Sequence, residues 1–380
     1  MKQRALKVRI YPTEQEINFL DAQFGAVRFV YNKALAIHKH FFKYHNLKLK
    51  TNKDIKPLLA VAKKSRKYPW LKEYDSLSLQ ESVRNLNTAF SNFFKKNARF
   101  PTFKKRNHKQ SSYHAGKGIG VDFDNGTIKI PKIGQIKAIL HREMSGRLVS
   151  ITLSKTSSGK YFASLLFEEE ETAIKKQTVF EESKILGIDL GLKHFIIDSN
   201  FNKVENPHFL LSAEKNLKRK QKQLSRKKKG SKNRAKARIL VAKIHEKIVN
   251  KRLDFFYKLA KQLVDENQAI IVESLKIKNL LRNRKLAKRI SEVAWAKFIE
   301  ILKRKTEEAG KLFINLDSFY PSSKLCSCCG YKNKELALKD RFWTCPDCKT
   351  KHDRDENASS NIKNEGKLEI MAAGQVVTAC

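Results

Sequence analysis

Apolar and polar residues alternate near the start of the sequence. Leu6, Val8 and Ile10 are interleaved with Lys7 and Arg9, which predicts a half-exposed strand over residues 4–11, ended by Pro12. Thr13 with Glu16 then makes a capping-box signature. From there to about residue 50, Phe19/Leu20, Phe24, Val27, Tyr31 and Leu35 take helical spacing. A second helical pair is expected over 53–66 and 76–97, with Tyr68-Pro69-Trp70 between. Short strand-like stretches follow at Ile119–Val121, Ile128–Ile130, Ile136–Leu140, Val149–Lys155 and Tyr161–Phe167, with Asp124-Asn125-Gly126 as a turn. They predict an antiparallel β module. The acidic run Glu168–Glu171 and the polar stretch to Ser183 read as a linker.

Beyond the linker the pattern changes. Lys184–Leu190 and Phe195–Asp198 are apolar strands joined by a Gly-Leu-Lys turn, and Ala269–Glu273 and Leu312–Leu316 are two more. One long helical region is expected from about 212 to 265, where Leu240, Ile244, Ile248 and then Phe255, Leu259, Leu263 recur at i, i+4 spacing. Residues 291–309 predict an amphipathic helix with Gly310 as its C-cap. The chain reads as multidomain α/β, without internal repeats.

Charge narrows the function. The 380 residues, enough for two or three domains, carry 79 Lys and Arg against 38 Asp and Glu, a formal net charge of +41. Such a surplus repels itself unless a polyanion neutralises it, and counterion release makes nucleic acid the natural partner. No apolar run approaches the roughly 18 residues of a membrane span, and the opening residues alternate like a strand, so a membrane role is not expected and a soluble intracellular protein is. Five of the six cysteines fall between Cys326 and Cys348, which suits a metal site in a reducing compartment.

Two constellations carry chemistry. Asp189 sits inside the apolar run Ile185-Leu186-Gly187-Ile188-Asp189-Leu190-Gly191, where an unpaired carboxylate is costly and the glycines let something bulky approach the same face. Glu273 ends an apolar strand, and Asp353 and Asp355 lie where a loop enters a helix. Each has an ordinary explanation: a turn-adjacent acid, a solvent-facing strand end, a helix N-cap. Together, in so basic a chain, they suit two-metal phosphodiester cleavage, which takes acidic ligands from separate rigid elements and favours Mg²⁺. The second constellation is Cys326/Cys329 and Cys345/Cys348, two C-x-x-C pairs separated by residues 330–344, within the four-cysteine Zn²⁺ pattern. Cys328 is a spare thiol, His352 an alternative ligand for which a substrate-side or structural role is preferred, and Cys380 is uninformative. Four protein ligands leave no open position, so this zinc site is expected to be structural.

The ordered set Gly187-Ile188-Asp189-Leu190-Gly191, Val272-Glu273-Ser274, Ser322-Ser323-Lys324-Leu325-Cys326 and Asp353-Arg354-Asp355-Glu356-Asn357-Ala358 resembles the transposon-encoded TnpB (OrfB) family, relatives of the type V CRISPR effectors. Arg9-Ile10-Tyr11-Pro12, Phe29-Val30-Tyr31-Asn32 and Phe100-Pro101-Thr102-Phe103-Lys104-Lys105 extend the likeness over nearly the whole chain. The resemblance implies an RNase H-like RuvC nuclease domain (184–320 and 353–380) with an inserted zinc ribbon (321–352). It also implies a β-barrel wedge domain (1–12 and 110–172) interrupted by a helical recognition domain (13–109), with 173–183 as linker. By motif position the catalytic acids fall on Asp189, Glu273 and Asp355, which is what selects Asp355 over Asp353. The implied activity is RNA-guided endonuclease cleavage of double-stranded DNA beside a short adjacent motif, with a guide RNA from the transposon end, one protein chain per RNA, in a prokaryotic cytoplasm. A nuclease-inactive RNA-guided repressor and a transposase accessory protein are the alternatives.

Two departures from the family pattern stand out: Lys349 replaces a glycine often found after the second cysteine pair, and any C-terminal tail is expected to be short or absent. Lys/Arg runs at 95–109 and 213–238, among them Lys104, Lys105, Arg226, Lys227, Lys228 and Lys229, are candidates for nucleic-acid backbone contacts. Gln80 and Arg84, on the helix starting near Ser76, are candidates for reading the adjacent motif.

Overall fold

The computed structural model describes residues 2–106, 110–116, 118–170, 177–283, 286–317, 320–337 and 340–378. These fall into two compact units, Met1–Thr172 and Ala173–Cys380. Lys109, residues 173–176 of the expected linker and Cys380 lie outside the described residues.

The first unit runs β1 (Lys2–Ile10), α1 (Glu14–His45), α2 (Leu58–Lys64), α3 (Ser76–Phe94), β2 (Gln110–Ala115), β3 (Gly120–Asp122), β4 (Thr127–Ile130), β5 (Gly134–Ile139), β6 (Arg147–Lys155) and β7 (Tyr161–Glu169). Its strands pair antiparallel in the order β2-β6-β7-β1-β5-β4-β3. The period-two pattern of β1 works as expected. Leu6, Val8 and Ile10 enter a core with Ile136, Ile151 and Leu165, while Lys7 and Arg9 lie over the Phe162 ring at 4.8 and 5.4 Å. The capping box starts α1: Thr13 Oγ1 accepts from the Glu16 amide and Glu16 Oε2 from the Thr13 amide.

The helices are shorter than their apolar spacing predicts. α1 stops at His45 because Asn46 turns left-handed (φ 50°) and its amide returns to Phe41 O. Residues 53–66 are not one helix. A π-helical turn over Thr51–Ile55 is followed by Pro57, which has no amide hydrogen to continue the ladder, and then α2. α3 ends at Phe94, and Lys96 takes φ 59°. Strand β2 was not legible, since its buried positions are Ser112 and His114 rather than apolar residues.

The second unit runs β8 (Val179–Glu181), β9 (Ile185–Leu190), β10 (His194–Asp198), β11 (Lys203–Glu205), α4 (Phe209–Ser225), α5 (Lys232–Glu266), β12 (Ala269–Glu273), α6 (Ile277–Leu280), α7 (Ala287–Val293), α8 (Trp295–Glu308), β13 (Leu312–Leu316), β14 (Phe342–Thr344), β15 (Lys351–Asp353), α9 (Arg354–Ala372) and β16 (Val376–Thr378). Three expectations are corrected. The linker ends early, because Val179–Glu181 pairs with β16 and buries Phe180. The helical region at 212–265 is a hairpin, broken where Gly230 takes φ 85° and the Ser231 hydroxyl caps α5. The helix at 291–309 is divided by a left-handed Ala294 (φ 54°), which ends α7 and starts α8. Gly310, at φ 73°, follows the actual C-cap Ala309.

The five-stranded sheet has the order β11-β10-β9-β12-β13, with β9, β10 and β11 antiparallel and β12 parallel to both β9 and β13. Strand alternation sorts its two faces. Leu186, Ile188, Ile270 and Val272 meet α5 and α8 through Phe256, Leu263, Phe298 and Leu302. Ile185 and Ile271 belong to the other core, with Ile362 and Ile370 of α9. On that same face the period-two rule sets Gly187, Asp189 and Glu273.

Gly187 and Gly366 let α9 sit down on this face. A Cβ on Gly187 would stand 2.4 Å from Ser359 O and 2.5 Å from Lys363 N, and one on Gly366 would meet Ile271 Cγ1 at 2.3 Å. The bulky group that Gly187 admits is therefore the backbone of α9. Gly187→Ala is expected to lower unfolding free energy by about 1–3 kcal/mol through forced displacement of α9, measured by denaturant titration. Unchanged stability would mean that the helix packs more loosely.

Candidate active site and metal centre

The three acids come from three elements of the second unit. Asp189 is two residues beyond Gly187 on β9, about 7 Å along the strand. Asp355 is four residues before Ser359 on α9, about 6 Å along the helix toward its N-terminus. Glu273 ends β12 one step past the pair Val272↔Ile188, so it stands beside Asp189 on the neighbouring strand. The electrostatics register this convergence. The Asp189 carboxyl is pushed up to about 7 by burial, then by the negative charges of Asp355 and Glu273, against the Leu190 amide and Arg354. Burial also raises Glu273, opposed by the Ser322 hydroxyl, which donates to Oε2 at 3.2 Å.

Asp355 and Asp353 have separate tasks. Asp353 is the N-cap of α9: its Oδ1 accepts from the Asp355 amide at 3.0 Å, and Lys203 Nζ donates to its Oδ2 at 3.0 Å. Although burial opposes it, the bonds from Lys203 and the helix amides hold Asp353 below the usual carboxylate range. Asp355 lies in the first turn and carries Arg341 Nη1 at 2.5 Å and Arg354 Nη2 at 3.0 Å. Neither arginine was singled out in the sequence, where two among so many basic residues carry no signal.

The cysteine spacing resolves into a cluster. The Sγ atoms of Cys326, Cys329, Cys345 and Cys348 all lie within 4.8 Å of one another. Among the described residues no other group of three or more His, Cys, Asp or Glu side chains meets so tightly, and Asp189, Glu273 and Asp355 do not form such a group. Four soft thiols in this arrangement suit tetrahedral Zn²⁺ with no open position. Thr350, through its hydroxyl and amide, lowers the Cys348 thiol to about 6, so a thiolate is present near neutrality. Cys328 is exposed and outside the group. His352 supports the group: its Nε2 is 3.1 Å from Cys326 Sγ and its ring packs on Trp343. Lys349 adopts φ 58°, a left-handed conformation that glycine takes more readily.

The cysteine loop is tied to α9. Asn357 Nδ2 donates to Leu325 O at 2.6 Å, and its Oδ1 accepts from the Ser327 amide at 2.9 Å. Asn361 Nδ2 reaches Ser322 O and Leu325 O at 2.8 and 2.7 Å.

The basic candidates divide by environment. Arg226, Lys227, Lys228 and Lys229 are exposed at the α4–α5 turn, which Arg234 closes by donating to Leu224 O and Lys227 O. Lys104 is held by reciprocal backbone bonds to Asn32, and its Nζ lies 4.0 Å from the Tyr31 ring centre. Lys105 lines a polar cavity with Arg28, Glu81, Asn85 and Gln110. Gln80 is half-buried on α3, and Arg84 is exposed and paired with Glu81. No helix among the described residues is long and apolar enough to cross a membrane.

Comparison with known proteins places this architecture. Family models described as "Probable transposase" (OrfB of IS605), "Cas12f1-like, TNB domain" and "Helix-turn-helix domain" match residues 164–284, 295–362 and 1–46. The last description does not fit the structure, where residues 1–46 hold strand β1 and the single helix α1. A Streptomyces pristinaespiralis protein named "Putative RNA-guided DNA endonuclease" is 36% identical over 380 residues, covering 99% of this chain and 90% of its own. "Putative RNA-guided DNA endonuclease InsQ" of Escherichia coli K12 is 28% identical over 392 residues, covering 99% and 94%. The solved "Cas12f1-sgRNA-target DNA complex" superposes with a TM-score of 0.59 at 15% identity, over 94% of this chain and 84% of that one, a likeness of fold.

Fold and site thus define a mixed α/β protein similar in fold to Cas12f1, with a four-cysteine group suited to a metal. The chain belongs to the TnpB (OrfB) family.

The raised pKa of Asp189 makes a prediction for magnesium-free protein. Its folded pKa of about 7 exceeds the ordinary 3.8, so ionising it costs stability progressively as pH rises from about 4 through 7. Asp189→Asn should therefore melt a few degrees above the parent at about pH 8, with the gap cut to roughly a third of that at about pH 5, read by calorimetry. Equal melting at both pH values would mean that neither burial nor the neighbouring charges raise the Asp189 carboxyl.

Proposed function

We propose that this chain is an RNA-guided DNA endonuclease in which Asp189, Glu273 and Asp355 are the catalytic carboxylates. The observation that carries the reading is their convergence at the C-terminal edge of β9 and β12, where Asp355 and Glu273 both raise the pKa of Asp189. Mutual repulsion of this kind is a cost that a bound cation removes. Mg²⁺ ions held by the three carboxylates would supply Lewis-acid stabilisation of the phosphoryl oxygens and a more acidic attacking water.

This chain's own residues do the rest. Asp189, once ionised, would be a ligand, Glu273 is oriented at the strand end, and Asp355 is presented by the first turn of α9. Arg341 and Arg354, which pair with Asp355, suit the non-bridging oxygens of a DNA phosphate. Zn²⁺ on Cys326, Cys329, Cys345 and Cys348 keeps the inserted ribbon folded. The order β11-β10-β9-β12-β13, an antiparallel meander extended by two parallel strands, supports reading 184–320 and 353–380 as the RNase H-like RuvC domain, with 321–352 as ribbon. In the same reading 1–12 and 110–172 form the wedge domain and 13–109 the recognition domain.

Guide RNA from the transposon end and target double-stranded DNA are the partners, an assignment supported by family membership and by the net charge of +41. The exposed turn Arg226–Lys229 and the segment carrying Lys104 and Lys105 would hold a duplex backbone while base pairing reads its sequence. Gln80 and Arg84 are proposed to face the adjacent motif.

The test is plasmid cleavage by the purified protein–RNA complex with Mg²⁺. Asp189→Ala should slow cutting more than about 100-fold, since even outer-shell partners of metal sites cost 10–100-fold, while leaving DNA binding intact. Binding without cutting by the parent complex would favour the repressor alternative, and strand-transfer products a transposase role. Loss of binding in a folded Asp189→Ala variant would sink the assignment of Asp189.

A further inference from the structure

Ser322 is 2% exposed and belongs neither to the cysteine cluster nor to the carboxylate trio. It nonetheless touches both neighbourhoods. Its hydroxyl donates to Glu273 Oε2 at 3.2 Å, and its carbonyl accepts from Asn361 Nδ2 at 2.8 Å. The same Asn361 nitrogen holds Leu325 O, the residue before Cys326, and Asn357 clamps that carbonyl together with the Ser327 amide. Asn357 and Asn361 are 3% and 4% exposed, so these bonds form away from competing water. The turn is closed internally as well, with the Lys324 and Leu325 amides on Pro321 O.

From these contacts we infer that Ser322 is a positioning residue for Glu273, and that the cysteine loop, through Asn361 and Asn357, fixes where Ser322 stands. The inference rests on the nuclease reading of Glu273. Glu273 is the last residue of its strand, so the backbone ladder restrains its side chain little. A neutral donor on one carboxylate oxygen fixes the rotamer, leaves the other oxygen free to ligate, and adds no positive charge to compete with a divalent cation. Arg341 and Arg354 treat Asp355 differently, since both bring a positive charge to that carboxylate. Second-sphere donors that orient a ligating carboxylate are worth about 10–100-fold in metal affinity or activity.

The experiment reads metal binding and cutting separately, on the full zinc-loaded chain. Free Mn²⁺ is titrated by electron paramagnetic resonance, with Asp189→Ala as the blank for unrelated sites, and Mg²⁺ dependence is followed in the cleavage assay. Ser322→Ala is expected to keep its zinc and its melting temperature, to bind Mn²⁺ about 10-fold more weakly, and to need correspondingly more Mg²⁺ for half-maximal cutting. Ser322→Thr, which keeps the hydroxyl, should recover most of the affinity. Wild-type Mn²⁺ affinity in Ser322→Ala overturns the inference. Should the alanine variant lose zinc, Ser322→Cys keeps the volume with a weaker donor: reduced Mn²⁺ affinity there supports the role, and parent-like affinity overturns it. A parent chain that fails to cut while Ser322→Ala still weakens Mn²⁺ binding would refute the nuclease reading and leave the positioning role standing. A parent that cuts, with Ser322→Ala unchanged in both assays, would do the reverse.

Discussion

Helix α9 lies on the five-stranded sheet with no side chain between its backbone and Gly187, and with Ile271 filling the space that a side chain on Gly366 would need. Everything at the carboxylate site depends on this close approach. A helix packed through ordinary side chains would stand farther out, and Asp355 would move away with it. Because Gly187 and Asp189 share one face of β9, the residue that admits the helix also sets the height at which Asp189 meets it. Ser359 adds a second tie by donating to Asp198 O at the end of β10.

The resulting charges are compensated unequally. Asp355 has two guanidinium groups, and Glu273 has the neutral hydroxyl of Ser322. Asp189 has the Leu190 amide and the more distant pull of Arg354, which do not offset burial and two like charges. The acid most central in the sheet is therefore the one whose ionised form is least favoured, and the one whose charge a divalent cation would stabilise most. The four-cysteine loop joins the same region through Asn357 and Asn361, so that loop and Asp355 share the first turns of α9.

Much of this was legible because it rests on pattern. β12 and β13 were read residue for residue from short apolar runs, as were the two C-x-x-C pairs from their spacing. What failed did so for physical reasons. β2 hides in the sequence because its inward residues are Ser112 and His114, satisfied by each other and by Asp75 of the α3 cap. β8 and β16 are three residues each, too short to carry a period, and they find each other across most of the second unit. The left-handed break at Ala294 has no glycine to announce it. Lys203, distant in sequence, pairs with Asp353, and Arg341 and Arg354 pair with Asp355, contacts that no local reading could supply. The preference for Asp355 over Asp353 comes from the family motifs. Ser322 and Asn361 gave no sign of their role, since a hydrogen bond to a strand end leaves no spacing rule behind it.

The account stands on α9 bringing Asp355 to Asp189 and Glu273 as a divalent-cation site. Crystals of the full chain soaked in Mn²⁺ and measured at the manganese edge test this most directly. Anomalous density bounded by the carboxylates of Asp189, Glu273 and Asp355, with Arg341 displaced from Asp355, is the predicted result. Saturating Mn²⁺ with no density there, and Arg341 still on Asp355, would contradict it.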